Sequence, residues 1–306
     1  MKRDFIHITD FTTEEIKNTL DLAVKVKNSL KNGERFLPLR HKTMAMIFAK
    51  PSTRTRVSFE TGMAQLGGHA IFLGPNDIGI GKREAIKDIA RVISRYDDII
   101  MARLFDHEHI LELAKYSSAP VINGLTDLNH PCQIMADIMT IQEHRGTLDD
   151  LKVAFIGDGN NVANSWINLA ARLPMHFVIA TPEGFDPDEE ILKNARKAGL
   201  SEIEVVRDPK QAAKDADVLY TDVWASMGEE EQAAEKKKIF KNFQINSELV
   251  KLAKDKYYVM HCLPAHRGEE ITDRVLESRQ SIVFDEAENR MHAQKAIILK
   301  LMDIEY

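Results

Sequence analysis

Thr43-Met44-Ala45-Met46-Ile47-Phe48-Ala49, then Lys50-Pro51-Ser52, then Thr53-Arg54-Thr55-Arg56-Val57-Ser58-Phe59-Glu60, is the stretch that decides the fold. A short apolar run without polar alternation is the pattern of a strand buried on both faces. Lys50-Pro51-Ser52 interrupts it, and residues 53–66 are helix-compatible until Gly67-Gly68 stops them. Strand, short loop and helix in that order make half of a βαβ unit. Upstream, Thr12 and Glu15 form a capping box, and Ile16, Leu20, Ala23, Val24 and Leu30 recur on one helical face. Downstream, strands at 69–73, 98–102 and 120–123 alternate with helices at 84–96, 108–116 and 133–144.

Arg145-Gly146 ends that series, and a new strand is predicted at 151–156. Strands at 176–180, 203–206, 217–222 and 257–260 then alternate with helices at 162–172, 188–198 and 209–215, with further helices near 231–254. The last predicted helix, 286–302, carries Met291, Ile297, Ile298 and Leu301 on one side, which suits packing back onto the first domain. The expectation is an α/β protein of two doubly wound parallel-sheet domains with helices on both faces, residues 1–147 and 148–306. A length of 306 residues suits two domains of ordinary size.

Forty-one Lys and Arg against 47 Asp and Glu leave a net charge of −6, which argues against a broad nucleic-acid or anionic-membrane surface. Any phosphate must be held locally. No run reaches the roughly 18 apolar residues of a membrane span, and Met1-Lys2-Arg3-Asp4-Phe5 leads into an amphipathic segment, so a cytoplasmic protein is expected. Cys132 and Cys262 are too few for a disulfide framework and read as free thiols.

In open parallel sheets, ligands bind beyond the carboxyl ends of the strands, so the chemistry is sought in those loops. Ser52-Thr53-Arg54-Thr55-Arg56 brings hydroxyls, guanidiniums and helix-start N–H groups together, as an oxyanion requires; the plainer reading is a capped helix with two solvated arginines. It lacks the Gly-x-x-x-x-Gly-Lys of a nucleotide loop, which favours a small phosphate. Arg103 ends a strand, and His130-Pro131-Cys132-Gln133 follows another, so an arginine, an imidazole and an amide reach the same edge. In the second half, Asp222 follows a strand with Ser226-Met227-Gly228 close behind, and His261-Cys262-Leu263-Pro264 follows the last strand. Asp222 suits a substrate ammonium or a loop cap; Cys262 suits a polar contact or an inert thiol.

Two other readings compete. Gly157-Asp158-Gly159-Asn160-Asn161-Val162 opens like a dinucleotide fingerprint, with Glu183 where a ribose contact would fall, but Val162 stands where close helix packing needs glycine. A zinc site from His130, Cys132, His261 and Cys262 lacks the usual Cys-x-Cys spacing, so no metal and no cofactor are expected.

Taken together, Ser52-Thr53-Arg54-Thr55-Arg56, Met101-Ala102-Arg103, His130-Pro131-Cys132-Gln133, Gly157-Asp158-Gly159-Asn160-Asn161, Asp222-Val223-Trp224-Ala225-Ser226-Met227-Gly228, His261-Cys262-Leu263-Pro264 and Glu286-Ala287-Glu288-Asn289-Arg290 resemble, in order, the motifs of the aspartate/ornithine carbamoyltransferase family, and within it the branch acting on ornithine. The resemblance implies transfer of the carbamoyl group of carbamoyl phosphate to the δ-amine of L-ornithine, giving L-citrulline and phosphate, in a homotrimer. It implies that Ser52, Thr53, Arg54 and Thr55 hold the phosphate, that Arg103, His130 and Thr55 polarise the carbamoyl oxygen, and that Gln133 and the Leu263 carbonyl fix the carbamoyl nitrogen. Arg290 completes that pocket, and Asn161, Asp222, Ser226 and Met227 form the ornithine site. Fixed positive donors would stabilise the tetrahedral oxyanion that forms as the amine attacks. Cys262, beside Asp222, is expected to position or deprotonate the amine, with the leaving phosphate as final proton acceptor.

The chain departs from the family at Gly79, where relatives carry Gln or His that reaches the phosphate of a neighbouring subunit; Lys82 and Arg83 are the available substitutes. Relatives acting on putrescine share Tyr220-Thr221-Asp222-Val223-Trp224 and Arg267-Gly268-Glu269-Glu270, but differ at Ser226-Met227-Gly228.

Overall fold

The structure, a computed structural model, describes residues 2–80, 83–225 and 230–306. Among these, β1 (Thr43–Phe48), β2 (His69–Leu73), β3 (Ile99–Arg103) and β4 (Val121–Leu125) form one sheet in the order β2-β1-β3-β4. All its pairings are parallel, with Phe48 opposite Arg103 at the carboxyl end. A second parallel sheet contains β5 (Lys152–Ile156), β6 (His176–Ala180), β7 (Glu202–Val206), β8 (Val218–Thr221) and β9 (Tyr258–His261), in the order β7-β6-β5-β8-β9.

The two-sided burial expected for the strand at 43–49 is met: Met44, Ala45, Met46, Ile47 and Phe48 are all inaccessible to solvent. Burying one such large side chain stabilises by about 1.5–3 kcal/mol. β2, at the sheet edge, is half exposed along its length. Chain order reverses between β1 and β3 in the first sheet and between β5 and β8 in the second. These are the switch points where loops diverge and leave a crevice.

The chain folds into two compact units, Met1–Met139 with Glu288–Tyr306, and Thr140–Ala287. The terminal helix Val283–Leu301 returns to the first unit from Glu288 onward, as its apolar side suggests. Lys27 Nζ donates to Asn289 Oδ1 at 2.7 Å, and Lys295 Nζ donates to Gln65 Oε1 at 2.8 Å. The helices expected near 231–254 take the form of one short α-helix, Ala233–Ile239, with single turns at Glu230–Gln232, Phe240–Asn242 and Val250–Leu252. Buried Phe240, Phe243, Ile245 and Leu249 are spaced irregularly, and Asn246 Oδ1 accepts from the Glu248 and Leu249 N–H groups, turning the backbone out of a helix.

Candidate active site

In the first unit the helix Thr53–Gln65 starts soon after β1, with Ser52 as its N-cap. The Ser52 hydroxyl accepts from the Thr55 N–H at 3.3 Å and donates to Thr55 Oγ1 at 3.0 Å. Thr53 and Arg54 stay exposed, so their donors face solvent at the helix start. Arg56 is turned away: its guanidinium lies 3.9 Å from the Phe72 ring centroid and its Nε donates to Glu60 at 2.9 Å.

Thr55 is fully buried and is the hub of the set. Its Oγ1 accepts from Arg290 at 2.9 Å and from Arg103 at 3.4 Å. Arg290 also donates to Gln133 Oε1 at 3.0 Å and to His130 Nε2 at 2.8 Å. Gln133 Nε2 in turn donates to Asp137 Oδ1 at 2.8 Å, one helical turn on, which fixes its amide with the oxygen toward Arg290. Two buried guanidiniums converging on one hydroxyl repel each other, a cost that an anion there would offset.

His130 precedes Pro131, the first residue of the helix Pro131–Arg145. Because Arg290 donates to Nε2, that nitrogen is the acceptor and the proton of the neutral ring sits on Nδ1. Burial first, then the charges of Arg290 and Arg103, hold the His130 imidazole well below its ordinary pKa, so it is a neutral donor. Cys132 is buried, donates to the Asn123 carbonyl, and has its thiol pushed up to about 12 by desolvation, which disfavours a reactive thiolate.

In the second unit the loops after β5, β8 and β9 carry the chemistry. Asp222, just beyond β8, is buried and accepts at both oxygens: from Asn160 Nδ2 at 2.8 Å on Oδ2, and from the Val223 N–H at 2.8 Å and the Cys262 thiol at 3.0 Å on Oδ1. The motif resemblance points to Asn161; the contact to Asp222 falls on Asn160. Asn160 is also the N-cap of the helix Asn161–Ala170, its Oδ1 accepting from the Val162 and Ala163 N–H groups at 3.0 and 3.2 Å. A capping Asn before an apolar helix is readable in the sequence; its second bond, across to the loop after β8, is not. Cys262 donates to a carboxylate, and a thiolate beside that carboxylate would be repelled, so the geometry favours a positioning role for the thiol over proton abstraction. Leu263 has a left-handed backbone, φ 54°, and is followed by a cis Leu263–Pro264 peptide. Ser226 and Met227 lie outside the described residues, as does Lys82.

Gly79 closes the helix Pro75–Ile78 with φ 53°, and a Cβ there would sit 2.9 Å from Arg83 Cβ. The turn therefore selects glycine, and Arg83 is exposed. Gly159 answers the dinucleotide reading. A Cβ at Gly159 would fall 2.4 Å from the backbone at Asp186 and Pro187, and its N–H donates to the Phe185 carbonyl at 2.9 Å. The close approach that glycine permits is taken by the chain's own backbone and not by a pyrophosphate. Asp222, His261 and Cys262 bring three ligand atoms within 4.8 Å of one another. Cation binding there would have to break the thiol–Asp222 bond and the bond at one His261 nitrogen, to Glu270 or to the Leu263 N–H.

In this doubly wound α/β protein two buried arginines, a histidine held below its ordinary pKa and a serine–threonine pair meet beside the first sheet, a donor set that suits a small oxyanion. Residues 3–143 match the carbamoyl-phosphate-binding domain of the aspartate/ornithine carbamoyltransferases, and residues 149–301 match the aspartate/ornithine-binding domain. The chain belongs to the aspartate/ornithine carbamoyltransferase family, whose members are carbamoyl-transferring enzymes. It is 60% identical to the chloroplastic ornithine carbamoyltransferase of Pisum sativum over 301 residues, 98% of this chain and 80% of that protein. It is 54% identical to the anabolic ornithine carbamoyltransferase of Pyrococcus furiosus over 304 residues, 98% of this chain and 96% of that one. A solved structure of ornithine carbamoyltransferase from Pyrococcus furiosus superposes with a TM-score of 0.93 at 53% identity, covering 97% of this chain and 96% of that chain.

Proposed function

We propose that the chain transfers the carbamoyl group of carbamoyl phosphate to the δ-amine of L-ornithine, releasing L-citrulline and phosphate, in the direction of arginine biosynthesis. The observation that carries this reading is Arg290, which joins Thr55, His130 and Gln133 through one guanidinium. Residues 1–147 serve carbamoyl phosphate: Ser52, Thr53, Arg54 and Thr55 take the phosphate, while Arg103, Thr55 and the neutral His130 act on the carbamoyl oxygen. Arg290 rejoins them from the terminal helix of the other segment, 148–306. Gln133 Oε1, a carbonyl oxygen held toward Arg290, suits the carbamoyl nitrogen, as does the Leu263 carbonyl.

Residues 148–306 otherwise serve ornithine. Asp222, held by three donors, takes the α-ammonium, with Asn161, Ser226 and Met227 completing the site. The δ-ammonium, with a pKa near 10.4 in water, must lose a proton before attack, and the departing phosphate is its final acceptor. As the amine adds, negative charge grows on the carbamoyl oxygen, and donors already fixed by Thr55 and Arg290 need not reorganise. The C–O bond to phosphate then breaks, with no covalent enzyme intermediate.

The working form we infer from the motif resemblance is a cytoplasmic homotrimer; Val57, on the helix Thr53–Gln65, and Ile71, on edge strand β2, are exposed apolar side chains available to a contact between copies. Lys82 or Arg83 is the residue offered across that interface in place of the missing Gln or His. The reading is tested by supplying carbamoyl phosphate with ornithine, putrescine, N-acetylornithine or aspartate. Citrulline from ornithine, with the other three amines turned over at least about tenfold more slowly, is expected; preference for another amine overturns it.

A further inference from the structure

His261, the last residue of β9, is fully buried, and so is Glu270. The Leu263 N–H donates to His261 Nδ1 at 2.9 Å, and His261 Nε2 lies 3.0 Å from Glu270 Oε1. The same carboxylate oxygen accepts from the His266 N–H, while Glu270 Oε2 is buried without a hydrogen bond to any described residue. An imidazole that accepts at Nδ1 carries its proton on Nε2, where it donates to the carboxylate. The other tautomer would set N–H against N–H at Leu263 and lone pair against lone pair at Glu270. The buried carboxylate therefore selects the tautomer, and the tautomer decides whether the Leu263 N–H has an acceptor.

That acceptor matters because Leu263 holds a left-handed backbone, uphill for a residue with a β-carbon, and the bond to His261 is what the turn offers in return. The same turn carries the Cys262 thiol on Asp222 and the Leu263 carbonyl. Glu286 steadies the turn's base, its Oε2 accepting from the His261 backbone N–H at 3.0 Å and its Oε1 from the Tyr220 hydroxyl at 3.3 Å.

We propose that Glu270 is a positioning residue: its carboxylate fixes His261 as the Nε2–H tautomer and thereby sets the Cys262–Leu263 turn that presents the Leu263 carbonyl and the Cys262 thiol to the reactants. What the turn presents rests on the carbamoyl-transfer reading; the tautomer does not. Glu270→Gln keeps the side-chain length but brings a neutral amide that can also donate, so the tautomer is no longer imposed.

Two measurements test this. In the unmodified protein with 15N-labelled histidine, His261 is expected to show a protonated Nε2 and an unprotonated Nδ1; an Nδ1–H ring overturns the proposal whether or not the protein makes citrulline. In steady-state kinetics, Glu270→Gln is expected to lower kcat at least about tenfold, with KM for ornithine within about threefold of the parent. Glu269→Gln is the control, since the Glu269 carboxylate is ion-paired with Lys237 at 2.7 Å and lies 3.8 Å from the exposed His266 ring, contacts made on the surface and not at the His261 ring, and it keeps the parent kcat. Equal losses in both variants, or an undiminished kcat in Glu270→Gln, refute the assignment. If the parent makes no citrulline at all, the carbamoyl-transfer reading fails, and the histidine spectrum still decides the tautomer.

Discussion

Asn160→Asp separates two tasks that one side chain performs. The parent Asn160 uses Oδ1 to cap the helix Asn161–Ala170 and Nδ2 to donate to Asp222 Oδ2 at 2.8 Å. Aspartate keeps the cap, and its charge suits a helix N-terminus. It also sets a second carboxylate against Asp222. Two unit charges about 4 Å apart repel by about 4 kcal/mol at an effective dielectric of about 20, close to three pK units. The pair therefore shares a proton near neutral pH, and Asp222 loses much of the charge that would attract an ammonium. The expected result is an ornithine KM at least about tenfold higher at about pH 7, with KM for carbamoyl phosphate within about twofold, and a melting temperature that falls at about pH 7 and partly recovers at about pH 5, where the pair keeps its shared proton. Asn160→Ala loses both the cap, about 1 kcal/mol, and a charge-assisted bond, about 1.5–3 kcal/mol, so its melting temperature falls by several degrees. Initial-rate kinetics with each substrate varied, alongside thermal melts, read the two effects apart. An unchanged ornithine KM in Asn160→Asp would mean that Asn160 does not orient Asp222 for substrate.

Arg290→Met removes donors from Thr55, Gln133 and His130 together and should lower kcat/KM for carbamoyl phosphate by at least about 2–3 kcal/mol, roughly 30- to 150-fold. It also removes one of the positive charges that depress His130, so the acid limb of the kcat profile moves to higher pH; a limb that stays put contradicts the assignment. Cys262→Ser, which keeps a donor to Asp222, is expected to retain most of kcat with an unshifted pH profile, whereas Cys262→Ala raises the ornithine KM; loss of kcat in both variants, with a shifted pH profile, would restore the thiol as a base. Burial first lowers His107 and His292 to about 4, with His7 adding to the first and Lys295 and Lys27 to the second. The unfolded chain binds those protons first as pH falls, so stability is fully present above about pH 6.5 and is lost progressively toward about pH 4. Urea midpoints measured across that window should fall with pH, and less steeply in His107→Gln.

The strand–loop–helix at 43–66 and the final helix at 286–302 were legible because their signals are local: apolar runs, a Pro-Ser break, a glycine stop and a 3.6-residue period. The capped Ser52–Thr55 cluster was legible for the same reason, since Ser52 caps the helix that begins with Thr53 and lies within three residues of Thr55. The pairing of Gln133 with Asp137 follows helical spacing and was there to be found. The irregular run after Ile239 was not, because its buried positions answer to the neighbouring strands and not to a helical face.

By itself the sequence determined the alternation of strands and helices, the loops at which functional groups emerge, and the family motifs. Only the tertiary structure decided which groups touch. Arg290 reaches Thr55 because the terminal helix returns to the first unit, 235 positions along the chain. Asn160 meets Asp222 because β8 pairs with β5, skipping two strands in the sequence. Glu270 selects the His261 tautomer because burial leaves that ring no water to bond. Periodicity and spacing are short-range properties of the chain. Strand order and burial arise from the balance of hydrophobic contacts over the whole fold, and they choose the hydrogen-bond partners on which the chemistry depends.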